Sequence, residues 1–204
     1  MGSIMIDNTK PIDDATPLDD TSGLKLPKNK SYTLKEIYIK EAENIADATI
    51  KYLSAIPTKK EAPFTYDWFL KLHTEMLGNV WDWAGKPRKI EMSIGIKAYL
   101  VPMELKKLSD DFLFWDKNRS FDVYEIASRL HHRTVQIHPF QNGNGRYSRM
   151  LANIYLRQKG LMPVKWQEDL LASENPKRSE YIKALKKADN RDYTDLIEMH
   201  KITY

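Results

Sequence analysis

Apolar residues recur along this chain of 204 residues mostly at three- and four-residue spacing, with polar positions between them. From Thr33 onward, LKEIYIKEAENIADATIKYLSAI carries Ile37, Glu41, Ile45, Ala48 and Tyr52 at helical intervals, and Pro57 supplies a stop. FTYDWFLKLHTEML repeats the pattern with Phe64, Trp68, Leu72 and Met76, and the aromatic-rich LGNVWDWAGKPR after it reads as a loop. MELKKLSDDFLFWDKN, DVYEIASRLHHRTVQI, GRYSRMLANIYLRQKG and RSEYIKALKKADN each show a stripe near period 3.6, most ending at Asn or Gly. KIEMSIGIKAYLVP differs. It sets β-branched and aromatic residues around Gly95 and closes on Pro102, which predicts a short β-hairpin or an extended flap. The expected fold is mostly α, a helical bundle with one small β element.

Residues 1–30 break this pattern. They hold Pro11, Pro17 and Pro27, four Asp between Asp13 and Asp20, and few large apolar side chains, and so read as an extended arm before a single domain of residues 31–204. A hydrophobic content of 42% is enough for a packed core in that domain. Lys and Arg outnumber Asp and Glu by only 32 to 28, too few to build a nucleic-acid surface unless they cluster, so no direct nucleic-acid partner is expected. Acidic small molecules such as nucleotides stay open. The absence of cysteine excludes disulfides, thiolate metal sites and a cysteine nucleophile. No stretch approaches the roughly 20 apolar residues of a membrane helix and the first residues lack a signal-peptide core, so the expected setting is cytoplasmic, with no membrane partner.

Chemistry concentrates in HPFQNGNGRYSR, His138 to Arg149. Pro139 discourages helix at His138, and Gly143 and Gly145 permit positive φ and close backbone approach to a ligand. A second helix starts near Arg146, so the loop ends on a helix N-terminus, an anion site before any side chain is counted. Arg146 and Arg149, three apart on its first turn, could clamp successive phosphates with their guanidinium forks, and Asn144 could aim its amide at the same group. His131 and His132 lack a suitably spaced acid and read as core or surface residues rather than metal ligands. Trp81 and Trp83 read as core plugs.

The same residues carry a resemblance. His138, Phe140, Gly143, Asn144, Gly145, Arg146 and Arg149 match the Fic-domain signature HxFx(D/E)GNGRxxR, and the flap, WDWAGKPR and YIKALKKADNRDYTDL are similar to family patterns over roughly Leu34 to Ile197. DDATPLDD in the arm resembles the opening segment of a subfamily linked to mobile elements. The resemblance implies a Fic-type helical bundle that transfers AMP from ATP, with Mg²⁺ or Mn²⁺, to a hydroxyl of a target protein in a bacterial toxin setting. His138 would be the general base; Gly143, Asn144 and Gly145 the anion hole; Arg146 and Arg149 the phosphate holders. Phe140 would anchor the loop, and Ser93, Ile94, Gly95 and Ile96 of the flap would dock the target by backbone pairing.

One position departs from the signature: Asn142 stands where the family has Asp or Glu to help hold the metal. An amide oxygen is a weaker ligand for a hard cation than a carboxylate. Asn142 could ligate through its carbonyl in an attenuated enzyme, which is the reading favoured here; alternatively the chain binds nucleotide, or a protein partner, without transfer, or it uses another nucleotide donor. The inhibitory pattern (S/T)xxxE(G/N) of the family has no complete copy, only the partial matches Thr16 to Asp20 and Thr194 to Glu198. A separate antitoxin partner, or an absent or divergent restraint, follows.

Overall fold

The computed structural model describes residues 22–27, 32–167, 171 and 175–202. Among them are seven α-helices: α1 (Leu34–Leu53), α2 (Tyr66–Leu77), α3 (Val101–Asn118), α4 (Val123–Ile137), α5 (Asn144–Gln158), α6 (Pro176–Asp189) and α7 (Thr194–Lys201). The starts are written in local chemistry. Thr33 and Glu36 close a reciprocal capping box ahead of α1, Thr65 accepts from Trp68 ahead of α2, and Asp122 and Asn175 cap α4 and α6. Stops are equally local: α3 ends on Arg119 and α4 on His138, both in the left-handed region.

The apolar stripes meet in one main core. Phe64, Phe69, Leu72, Met76, Leu105, Phe112, Leu130, Phe140, Tyr147 and Leu151 are among its fully buried members. Helix α5 is covered on nearly every side, packing most extensively on α4 and also against α1. A smaller cluster of Tyr181, Ala184, Leu185, Ala188, Tyr193 and Leu196 joins α6 and α7 and seats them on α4.

Two expectations need adjustment. The structure does not show the expected hairpin at the flap; residues 93–96 form consecutive bends, followed by a 3₁₀ turn at Ala98–Leu100. Pro102 opens α3 rather than closing a strand, since proline needs no N–H in the first turn of a helix. The carbonyls of Ile90 and Ile96, which a hairpin would pair across strands, accept instead from the guanidinium of Arg88. Of the expected arm, most residues lie outside the described set. Residues 22–27 run against the body, where Leu24 makes an antiparallel bridge to Trp81 and Lys25 donates its backbone N–H to Val80.

Candidate active site

The junction of α4 and α5 sets the site. Helix α4 ends at His138 (φ 51°, ψ 63°) and α5 begins after Gly143 (φ 75°), so two left-handed turns bracket a loop of four residues, Pro139 to Asn142. Left-handed backbone costs an L-residue roughly 1–2 kcal/mol, and the surroundings must hold it there. Phe140 does so from below. It is fully buried, stacks on His73 at 3.6 Å between ring centroids and meets Tyr147 edge-on. Asn144 reaches back to staple the loop, its Oδ1 accepting from the Phe140 N–H and its Nδ2 donating to the Phe140 carbonyl, at 2.9 and 2.8 Å. Its side chain is therefore occupied by the loop itself, leaving backbone as its offering to a ligand.

Sequence reasoning passed over His73, which lies in the apolar run of α2. Gly85 donates its N–H to His73 Nδ1 at 2.9 Å, so Nε2 carries the ring proton and donates it to the Asn142 carbonyl at 3.1 Å. Burial drives the His73 pKa down to about 3, and the ring is a neutral strut beneath the loop. Its legible signal was a lone histidine between Leu72 and Met76, both core residues.

Asn142 is almost fully buried, and its Oδ1 accepts from the Gly143 N–H at 2.5 Å. The atom a metal would need is thus engaged by the residue that opens α5. No group of three or more His, Asp or Glu that could hold a metal occurs among the described residues. The donor set offers one amide oxygen already in use, a poor fit to Mg²⁺.

Both arginines turn back toward the same helix end. A β-carbon on Gly145 would sit 3.2 Å from Arg149 Nη1, and one on Gly143 would sit 3.9 Å from Arg146 Nη2 while colliding with Leu77 Cδ1 at 2.6 Å. Arg149 lies over the Tyr181 ring at 5.8 Å. Arg146 donates through Nη1 to Glu41 Oε2 at 2.7 Å, and the other oxygen of that fully buried carboxylate accepts from Trp81 Nε1 at 2.6 Å. Glu41 was visible in the sequence as an acid on the apolar stripe of α1. A charge at such a position demands a partner, but the partner lies 105 residues away.

His138 sits above this end, with Nδ1 buried and lacking a hydrogen-bond partner. Burial, then the positive charge of Arg88, lowers the His138 pKa to about 4, so the imidazole is neutral at pH 7. The backbone of Val135 works the other way and favours a proton on the ring. The flap lies directly against it: a β-carbon on Gly95, at φ 100°, would fall 2.5 Å from His138 Cβ. Ser93 and Ile94 are exposed and Ile96 half-buried. The structure therefore brings together His138, Phe140, Asn142 to Arg146, Arg149 and the flap. Glu198, from the partial inhibitory match, pairs with Lys201 on the exposed face of α7; Thr16 to Asp20 lies outside the described residues.

The chain is similar to protein adenylyltransferase Fic of Aedes aegypti, 30% identical over 155 residues, which covers 74% of this chain and 30% of that protein. Protein adenylyltransferase fic-1 of Caenorhabditis elegans is 29% identical over 123 residues, covering 58% of this chain and 24% of that one. This chain thus spans less than a third of the length of these curated relatives. In fold it is similar to C. elegans Fic-1 residues 134–508, with TM-score 0.67, 24% identity, and coverage of 85% of this chain and 49% of that one. BepC of Bartonella tribocorum, solved with bound AMPPNP, superimposes with TM-score 0.60 at 15% identity, covering 83% of this chain and 87% of that one. The Fic/DOC family model matches residues 63–156, which contain the whole of the loop and both arginines. The chain carries a Fic/DOC family domain.

Proposed function

We propose that this protein is a protein adenylyltransferase, transferring AMP from ATP to a hydroxyl side chain of another protein in the cytoplasm. One observation supports it above the rest: a neutral imidazole and an arginine-flanked helix N-terminus lie on the two ends of one four-residue loop. The relatives named adenylyltransferases point the same way. In the reaction the target hydroxyl oxygen bonds to the α-phosphorus as the bond from that phosphorus to the bridging oxygen breaks. Pyrophosphate leaves. The hydroxyl proton passes to His138, through Nε2 because Nδ1 is sealed in protein. Backbone N–H groups at the start of α5, with Arg146 and Arg149, would receive the phosphates. Ser93, Ile94, Gly95 and Ile96 would hold the target backbone over the imidazole.

A divalent cation would be held mainly by the nucleotide's own phosphates and water, and Asn142 would add little. This is the sense in which the activity is attenuated. The animal relatives lend no support to a toxin role or an antitoxin partner. Incubation with α-labelled ATP and a lysate tests the reading: label on protein that disappears in His138→Ala supports transfer. ATP binding with no label under any metal would favour a nucleotide-binding module instead.

A further inference from the structure

Arg88 lies at the end of WDWAGKPR, 3% exposed, and is a buried cation with no hydrogen-bonded carboxylate among the described residues. Its charge is solvated by backbone carbonyls from two separate segments. On one side Nη1 donates to Ile90 at 2.9 Å and Nη2 to Ile96, which bracket residues 91–95 of the flap. On the other, Nε donates to the His138 carbonyl at 2.6 Å and Nη2 to that of Ile137 at 3.5 Å. Its own N–H donates to Pro139 at 2.9 Å. Ile137 and His138 close α4, where carbonyls have no partners within the helix and the dipole favours positive charge. One guanidinium therefore caps the helix that ends in the proposed base and holds the flap on either side of residues 91–95.

We propose that Arg88 is a positioning residue that fixes the left-handed turn at His138 and the height of the flap over it as a single unit. A lysine could not replace it. An ammonium delivers charge, but its three donors lack the planar fork that reaches carbonyls on opposite sides at once. Gly95 enforces the same spacing from above, because its missing β-carbon would meet His138 Cβ at 2.5 Å and Arg88 Nη2 at 2.9 Å. The charge has a second effect on the imidazole. Among the influences on His138, Arg88 is the charged one, with burial the larger and the backbone of Val135 opposing both; Glu91 acts in turn on Arg88. Charge and geometry can thus be separated by substitution. This inference rests on reading His138 as the base and the flap as a docking segment.

The test uses the whole chain without nucleotide or target, so its failure is distinguishable from failure of the transfer reading. Ring signals of His138 are titrated by NMR, and amide exchange of the flap is measured under native conditions in wild type, Arg88→Lys, Arg88→Met and Gly95→Ala. Arg88→Lys is expected to leave the His138 titration low while the flap amides exchange about tenfold faster, as follows from losing one or two bonds to carbonyls. Arg88→Met is expected to move the His138 titration upward as well, and Gly95→Ala to speed flap exchange and shift the His138 ring signals with Arg88 intact. If Arg88→Met does not fold, the other two variants carry the test. A residue that merely stabilised the fold would lower the unfolding midpoint without changing native flap exchange. Wild-type flap exchange and His138 signals in folded Arg88→Lys and Gly95→Ala overturn the proposal.

Discussion

At the scale of single residues, His138 makes the sharpest claim, because its neutral form must persist wherever it serves as a base. Its pKa near 4 lies below the ordinary imidazole value, so the ring loses its lone pair only as pH falls through about 4. Transfer measured from pH 8 down to pH 6 is therefore expected to show no acid limb from His138, whereas a limb centred near 6.5 would place the imidazole in water. Asn142 makes the next claim. Asn142→Asp would keep an acceptor for the Gly143 N–H and put a negative charge at the positive end of α5. It would also supply the hard oxygen that the site lacks. A charge about 4 Å from a divalent ion is worth several kcal/mol near an effective dielectric of 20, so Mg²⁺-dependent label transfer should rise at least about tenfold in this variant. Equal rates across a Mg²⁺ titration would show that residue 142 does not face the cation. The bond from Gly143 to Asn142 could not be read from sequence, because the signature names a residue type and not the direction of its oxygen.

At the scale of elements, the helices were legible because burial period and caps agree: Thr33 with Glu36, Thr65 and Asp122 each begin a helix whose stripe faces the core. The flap was misread for a physical reason. Its β-branched residues suggest a strand, yet strand pairing is only one way to satisfy carbonyls, and Arg88 provides another from outside the segment. Contacts between elements were less legible still. The carboxylate of Glu41 on α1 meets Arg146 on α5 and the indole of Trp81 in the loop after α2, a convergence that only the packed fold creates. Removing one partner of a buried pair strands the other, and Glu41→Ala is expected to lower stability by about 3–5 kcal/mol in denaturant titrations. Glu41→Gln keeps one acceptor but turns its NH2 against the N–H of either Trp81 or Arg146 and leaves the arginine's charge unpaired, so it should cost a comparable amount. An alanine variant within about 0.5 kcal/mol of wild type would mean that water replaces the carboxylate freely.

At the scale of the whole molecule, histidine is used in an unusual way. All five residues of this type have lowered pKa values, chiefly through burial. Three are fully enclosed, and two of these form a directed chain. Tyr181 donates to His131 Nε2 at 2.9 Å, His131 Nδ1 donates to His200 Nε2 at 3.2 Å, and His200 Nδ1 donates to the Leu196 carbonyl at 2.7 Å. That order leaves every ring neutral and ties α6 and α7 to α4. An unfolded chain takes up these protons near pH 6.5, and the folded one only far below, so stability is fully present above about 6.5 and drains away as pH falls. For His73 and His200 together the slope approaches about 3 kcal/mol per pH unit below pH 6, a sizeable share of an ordinary domain's stability per unit, and His131 acts in the same direction. Urea midpoints measured between pH 7 and 5 should fall steeply, and midpoints flat over that range would show that the folded state accepts the protons. Sequence gave the count of histidines, but their enclosure is a property of the assembled helices.

The bond between Trp81 and Glu41 also makes the protein its own optical probe. An indole's emission follows the field around it, and here that field is set by a carboxylate whose other oxygen holds the arginine expected to turn toward phosphate. Trp81 stacks on Trp83 at 5.1 Å, and Trp83 in turn lies 6.2 Å from His73 beneath the loop. Occupancy of the helix end should therefore be visible as a change in native tryptophan fluorescence, with no dye or isotope attached, and Trp81→Phe should silence it while the other four tryptophans continue to emit.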